Sequence, residues 1–203
     1  MSFCETLNEK EEGLLPLIRK EFFDHPCVDI NPQIQGYKML DGVYTLGCSA
    51  GPGRNLNILF HEMGHLAERE VPKLLERPNY GWGYTSGRFW QIGTSWGYEP
   101  QTDQSLLREL RVWAFQKCIA SHYGLEEPTL KMVAPATYIN SFDVYRYKHN
   151  LTIEKTLETL ADKVDELSQD TFTFDRFVKD WNSRMEILNR TLIFWRGEDE
   201  INS

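Results

Sequence analysis

Apolar residues recur at helical spacing in five stretches of the 203-residue chain and gather at strand spacing in one. Leu7, Leu14, Leu15, Ile18, Phe22 and Phe23 predict a first helix over residues 5 to 23, interrupted at Gly13 and Pro16. The second helix opens at Asn55, a suitable N-cap, and places Leu56, Leu59, Phe60, Met63 and Ala67 on one face. Pro72 ends it at or before Val71. A third helix spans residues 104 to 121, with Leu106, Leu110, Trp113, Ala114 and Phe115 as its buried stripe. Two more follow. Residues 152 to 168 start at a Thr152 cap and carry Leu157, Leu160, Ala161, Val164 and Leu167. Residues 174 to 195 carry Phe177, Trp181, Met185, Leu188 and Leu192.

The strand signal lies between the first two helices. Tyr37–Leu40 and Val43–Leu46 flank Asp41-Gly42, a pair that favours a tight hairpin turn. Ser49 to Gly53 then forms a turn that delivers the chain to the second helix. The hairpin edge can pair with an extended peptide beside that helix, or the hairpin can simply cover it. Residues 79 to 98 hold five glycines and seven aromatics in twenty positions. Tyr80, Trp82, Trp90 and Trp96 in this stretch are candidates for a substrate-binding wall. A glycine-turned meander whose aromatics fill core fits the same composition.

Composition narrows the class. With 41% apolar and 13% aromatic residues, the chain is a folded globular one. A net charge of -8 argues against nucleic acid or an anionic membrane as partner, because both select for basic surfaces. No apolar run approaches membrane-spanning length, and the amino-terminal stretch lacks the pattern of a secretory signal. Cys4, Cys27, Cys48 and Cys118 are scattered, without a Cys-x-x-Cys pair, which favours thiols in a reducing compartment. The expected location is cytoplasmic. His25 and His149 read as structural histidines.

Candidate chemistry concentrates in the second helix, at His61-Glu62-Met63-Gly64-His65. Side chains four apart share a helix face, so His61 and His65 can bind one zinc ion together. Glu62 is offset by one position, where it can act as base toward a zinc-bound water. In the third helix Glu109 has Leu106, Val112 and Trp113 as its helical neighbours, so its carboxylate points toward the interior or its rim. A carboxylate there needs a cation. Zinc on His61 and His65 would supply one, and a salt bridge to Arg108 or Arg111 would supply another. Glu68, Glu70 and Asp103 compete with Glu109 for the third position. Tyr84, Tyr98 and His122 are candidate donors to an oxyanion.

With both helices placed, the chain resembles a zincin metallopeptidase of the gluzincin type, in which a later helix supplies a glutamate ligand. The metzincin pattern needs a glycine and a third histidine where Glu68 and Val71 stand. Among small gluzincins it is similar to the ImmA/IrrE-type metallopeptidases over residues 36 to 120. The likeness rests on Arg54, the run to His61-Glu62-Met63-Gly64-His65, and Glu109 followed by Ala114 and Phe115. Met63 departs from the leucine usual there, and the aromatic insertion between the two helices is longer than in that family. The resemblance implies an α+β, zincin-like domain with a short antiparallel sheet, the two site-bearing helices and a C-terminal helical pair. From its length the chain reads as one domain over residues 1–203 or a closely fused pair, with a catalytic core at 36–121 and a helical buttress at 152–196. The resemblance further implies one zinc per chain on His61, His65 and Glu109, Glu62 as base, and a peptide or protein substrate. A zincin-fold binding or regulatory protein with little or no peptidase activity is the alternative, since function belongs to the site and not to the fold. The intact Glu62 favours the enzyme.

Overall fold

The structure is a computed structural model that describes residues 7–34, 36–40, 43–50, 53–67, 103–126, 145–170 and 174–201. It has α+β architecture, and its chain divides into two compact units. Met1–Thr94 together with Asp175–Ser203 make the first, and Ser95–Phe174 the second. No helix among the described residues is long and apolar enough to cross a membrane.

The first unit opens with helix α1, Glu9–Phe22. It starts later than residue 5 because Asn8 and Glu11 form a capping box: each side chain accepts from the other's backbone N–H. Pro16 lies inside the helix, where its missing N–H forgoes one ladder bond. Ile18 and Phe22 bury the inner face.

Three strands follow, β1 (Val28–Ile30), β2 (Tyr37–Leu40) and β3 (Val43–Leu46), in the spatial order β1-β3-β2. The hairpin partners are those the alternation predicts, with Lys38 opposite Thr45 and Met39 opposite Tyr44. The turn at Asp41-Gly42 lies outside the described residues. The sheet is mixed, which corrects the expected antiparallel one. The chain reverses twice between β1 and β3, and β3 inserts between its two predecessors. It therefore runs parallel to β1, with Val28 opposite Tyr44 and Ile30 opposite Leu46.

This order carries Asn31 and Gly36 past the end of β3. Asn31 N–H donates to the Leu46 carbonyl at 2.9 Å, and Gly47 N–H to the Gly36 carbonyl at 2.7 Å. Gly47 is required by that crossing, since a Cβ there would lie 2.0 Å from the Ile34 carbonyl oxygen. In place of the expected simple turn, Ser49–Ala50 (β4) and Gly53–Arg54 (β5) make a two-residue antiparallel ladder.

Helix α2, Leu56–His65, begins at the expected Asn55 cap, whose side chain accepts from Ile58 N–H at 3.0 Å. Its predicted stripe of Leu56, Leu59, Phe60, Met63 and Ala67 is buried throughout. The stop expected at Pro72 lies outside the described residues.

The unit closes with the long final helix, Phe174–Ile201. Its Phe177 and Trp181 rings pack on Phe22, with centroids 5.5 and 6.4 Å away, and Trp181 Nε1 donates to the Phe22 carbonyl at 2.7 Å. His25 is tied to this helix through Asn182 at 2.9 Å.

The second unit pairs helix α3, Asp103–His122, with helix α4, Ile153–Asp170. Leu106, Leu110, Trp113 and Ala114 interlock with Leu160 and Val164. Lys117 and Asp165 bridge the rim at 2.6 Å. Gly124, at φ 62, ends α3 in a left-handed cap: Leu125 N–H reaches back to the Ala120 carbonyl at 2.8 Å. The final helix is numbered α5. The expected helical pair thus consists of helices that pack in different units, α4 on α3 and α5 on α1.

Candidate metal centre

Helix α2 presents its two histidines side by side. Their Nε2 atoms lie 3.0 Å apart, and the rings meet edge to face with centroids 4.5 Å apart. His65 is buried and His61 half-buried. Two nitrogen ligands of one tetrahedral zinc, each at about 2.05 Å, sit about 3.3 Å apart. The histidine pair is close to that spacing before any metal is considered.

Glu109 sits on α3 between residues that are almost fully buried: Leu106, Leu110, Val112 and Trp113. Its own side chain is half-buried, as the helical spacing predicts. One ligand atom each from His61, His65 and Glu109 lies within 4.8 Å of the others. This is the group the motif and the position of Glu109 single out. Two imidazoles and a carboxylate are the donor chemistry of a catalytic zinc, whereas structural zinc sites are thiolate-rich. Among the described residues, Cys27, Cys48 and Cys118 stand outside the cluster.

Glu62 follows His61 on α2 and is buried, at 8% exposure. Gly36, immediately before β2, faces it. A Cβ built there would lie 4.0 Å from both Glu62 carboxylate oxygens. Gly36 has φ +66, a left-handed conformation that favours glycine. The backbone at Gly36, bonded to Gly47 N–H, therefore faces the Glu62 carboxylate.

Both ends of α2 are tied by charged side chains. At the amino end, Glu11 of α1 is buried, and its Oε1 accepts from Leu56 N–H at 2.9 Å. Its Oε2 accepts from Asn8 N–H at 3.1 Å, so one carboxylate serves the first turns of two helices. At the other end, Arg184 of α5 donates to the Ala67 carbonyl. The Glu11 carboxylate suits the partial positive charge at the amino end of the helix.

His122 occupies the last turn of α3, where it is exposed and stacked on Phe174 at 3.4 Å. It lies 122 − 109 = 13 residues beyond Glu109, about 20 Å along the helix axis. Its expected role as oxyanion donor does not fit that place. Tyr84 and Tyr98, the other candidate donors, lie outside the described residues, as do Tyr80, Trp82, Trp90 and Trp96. So do Glu68 and Glu70, and the Asp103 side chain.

Glu11, Gly36, Gly47 and Arg184 are absent from the sequence-level reading. The pattern Asn8-x-x-Glu11 announces a capping box, yet nothing local to Glu11 points to Leu56, 45 positions away. No family model matches this chain, and no curated protein or solved structure matches it either.

Proposed function

We propose that this chain is a zinc-dependent peptidase, with one zinc per chain held by His61, His65 and Glu109 and with Glu62 as general base. The observation that carries the reading is the convergence of those three donor groups within 4.8 Å, with a buried carboxylate next along the same helix. When bound, zinc polarises a substrate carbonyl and lowers the pKa of a coordinated water to about 7. The protein residues do the rest. His61 and His65 supply neutral imidazole donors and Glu109 one negative charge, which together suit a divalent cation. Glu62 takes a proton from the attacking water and returns it to the departing amine. Burial of Glu62 keeps bulk water from competing for its carboxylate. Gly36 presents backbone instead of a side chain along the flank of that carboxylate. A peptide or protein substrate follows from the resemblance of the two site-bearing segments to small gluzincins.

The test combines metal analysis with hydrolysis. Purified protein should hold about one zinc per chain and cleave members of a quenched fluorescent peptide library. Glu62→Gln should retain the zinc and lose about 100- to 10,000-fold in rate, the range expected for a general base. A Glu62→Gln variant as active as the wild type would falsify the assignment. A zinc-loaded wild type that cleaves nothing would favour the binding-protein alternative.

A further inference from the structure

We infer that Glu11 and Arg184 are positioning residues that hold the metal-binding helix at its two ends and thereby set zinc affinity. The inference rests on the zinc reading above, because it concerns the presentation of His61 and His65.

Helix α2 is ten residues long, and its two histidines fall in its final two turns. Its first turn offers backbone N–H groups that have no carbonyl partner within the helix. Asn55 satisfies the one at Ile58, and Glu11 satisfies the one at Leu56. The Glu11 contact is made by a carboxylate at 6% exposure that spends its other oxygen on Asn8 N–H. Two backbone donors thus converge on one side chain, and only a carboxylate has two acceptor oxygens to meet them. Glutamine would meet one donor and turn its own N–H₂ toward the other. A solvated cap would carry no such requirement.

The Arg184 contact is its complement. A guanidinium reaches the Ala67 carbonyl, two residues beyond His65. Both anchors belong to helices that already pack on each other through Phe22, Phe177 and Trp181. The α1–α5 pair is therefore a frame, and α2 is fixed to it by one charged side chain on each side of its histidine pair. Loss of either anchor lets α2 slide or tilt, which moves the His61–His65 pair as a unit relative to any third ligand.

The experiment measures zinc affinity by competition with a chromophoric chelator and the absorption spectrum of the cobalt(II)-loaded protein. It uses the wild type, Glu11→Gln, Arg184→Met, Arg184→Lys and Phe177→Leu. Phe177→Leu serves as a stability control, because it thins the α1–α5 packing without either polar anchor being lost. Glu11→Gln and Arg184→Met should weaken zinc about tenfold or more, the low end of the cost of losing an outer-shell partner. Both should change the cobalt spectrum, and Arg184→Lys, which keeps a charged donor, should recover most of the affinity. The control, at matched thermal stability, should bind zinc like the wild type. Unchanged affinity and spectrum in folded Glu11→Gln and Arg184→Met would overturn the inference while leaving the zinc reading intact. Equal weakening in the control would overturn it too, since the effect would then be general loss of stability. If Glu11→Gln does not fold, the contrast of Arg184→Met with Arg184→Lys decides alone. A wild type that binds no zinc removes the zinc reading and this inference with it.

Discussion

Replacing Gly47 by alanine should damage the fold at a point that also supports the candidate site. The added methyl would lie 2.0 Å from the Ile34 carbonyl oxygen, 2.7 Å from its carbon and 2.9 Å from its Cγ1. Two of those atoms are backbone, so no rotamer change relieves the clash. The crossing must retreat by about 1.4 Å to reach the 3.4 Å of an ordinary contact. Such a shift breaks or strains the bonds Asn31 N–H to Leu46 O and Gly47 N–H to Gly36 O, now 2.9 and 2.7 Å. Each is worth about 1 kcal/mol net, and forced overpacking adds about 1–3 kcal/mol, so the total is about 3–5 kcal/mol. For a chain of this length that lowers Tm by about 6–20 °C.

Gly13→Ala supplies a control of opposite sign. Nothing lies within 4 Å of a Cβ there, and Gly13 is inside α1. Alanine should stabilise by about 1 kcal/mol, raising Tm by about 2–4 °C. Thermal denaturation followed by circular dichroism reads both. Gly47→Ala melting within 2 °C of the wild type would refute the steric argument. Because the same crossing carries Gly36 past Glu62, Gly47→Ala should also reduce any hydrolysis that depends on that carboxylate.

Glu109→Ala should weaken zinc by more than the 10- to 100-fold that an outer-shell loss costs, read by chelator competition; an unchanged affinity would place the third ligand elsewhere. His61→Ala or His65→Ala should abolish zinc uptake, read by elemental analysis, with most of the helical circular dichroism kept. Burial raises the Cys118 thiol above its ordinary value of 9.0, so Cys118 should alkylate more slowly in the native protein than in urea. The sign for stability follows. The neutral thiol costs nothing below the unfolded pKa, but above about pH 9 the unfolded chain ionises first and native stability falls. Cys118→Ala should flatten that alkaline decline.

The site was legible where its logic is local. A four-residue offset on a helix is a one-dimensional fact, so His61 and His65 could be paired from spacing alone. Glu109 was within reach for a related reason. Its helical neighbours Leu106, Val112 and Trp113 are apolar, so the face it shares with them had to turn inward, and all three are buried. The β2–β3 hairpin was equally accessible, because alternation around a favourable turn fixes both partners and register. The parallel β1 was not. Val28–Ile30 is three residues long, too short for periodicity to speak, and its partner is chosen by the order in which strands insert.

What sequence could not reveal is the support beneath the histidines, and the reason is the same in each case. Glu11 lies in the run Glu9-Lys10-Glu11-Glu12, whose composition reads as a solvated helix start. Its burial comes from the approach of a second helix terminus, and a terminus exposes N–H groups that leave no mark on residue identity. Arg184 lies among Asn182, Ser183 and Glu186 on a helix whose apolar stripe predicts only which face is inside. Its partner is a backbone carbonyl, and every residue has one. Gly47 accommodates a chain crossing that exists only once β3 has inserted between β1 and β2. Ligands must be particular residue types, so sequence can betray them. The groups proposed to hold α2 in place bind to backbone, and their identity becomes readable only through the fold.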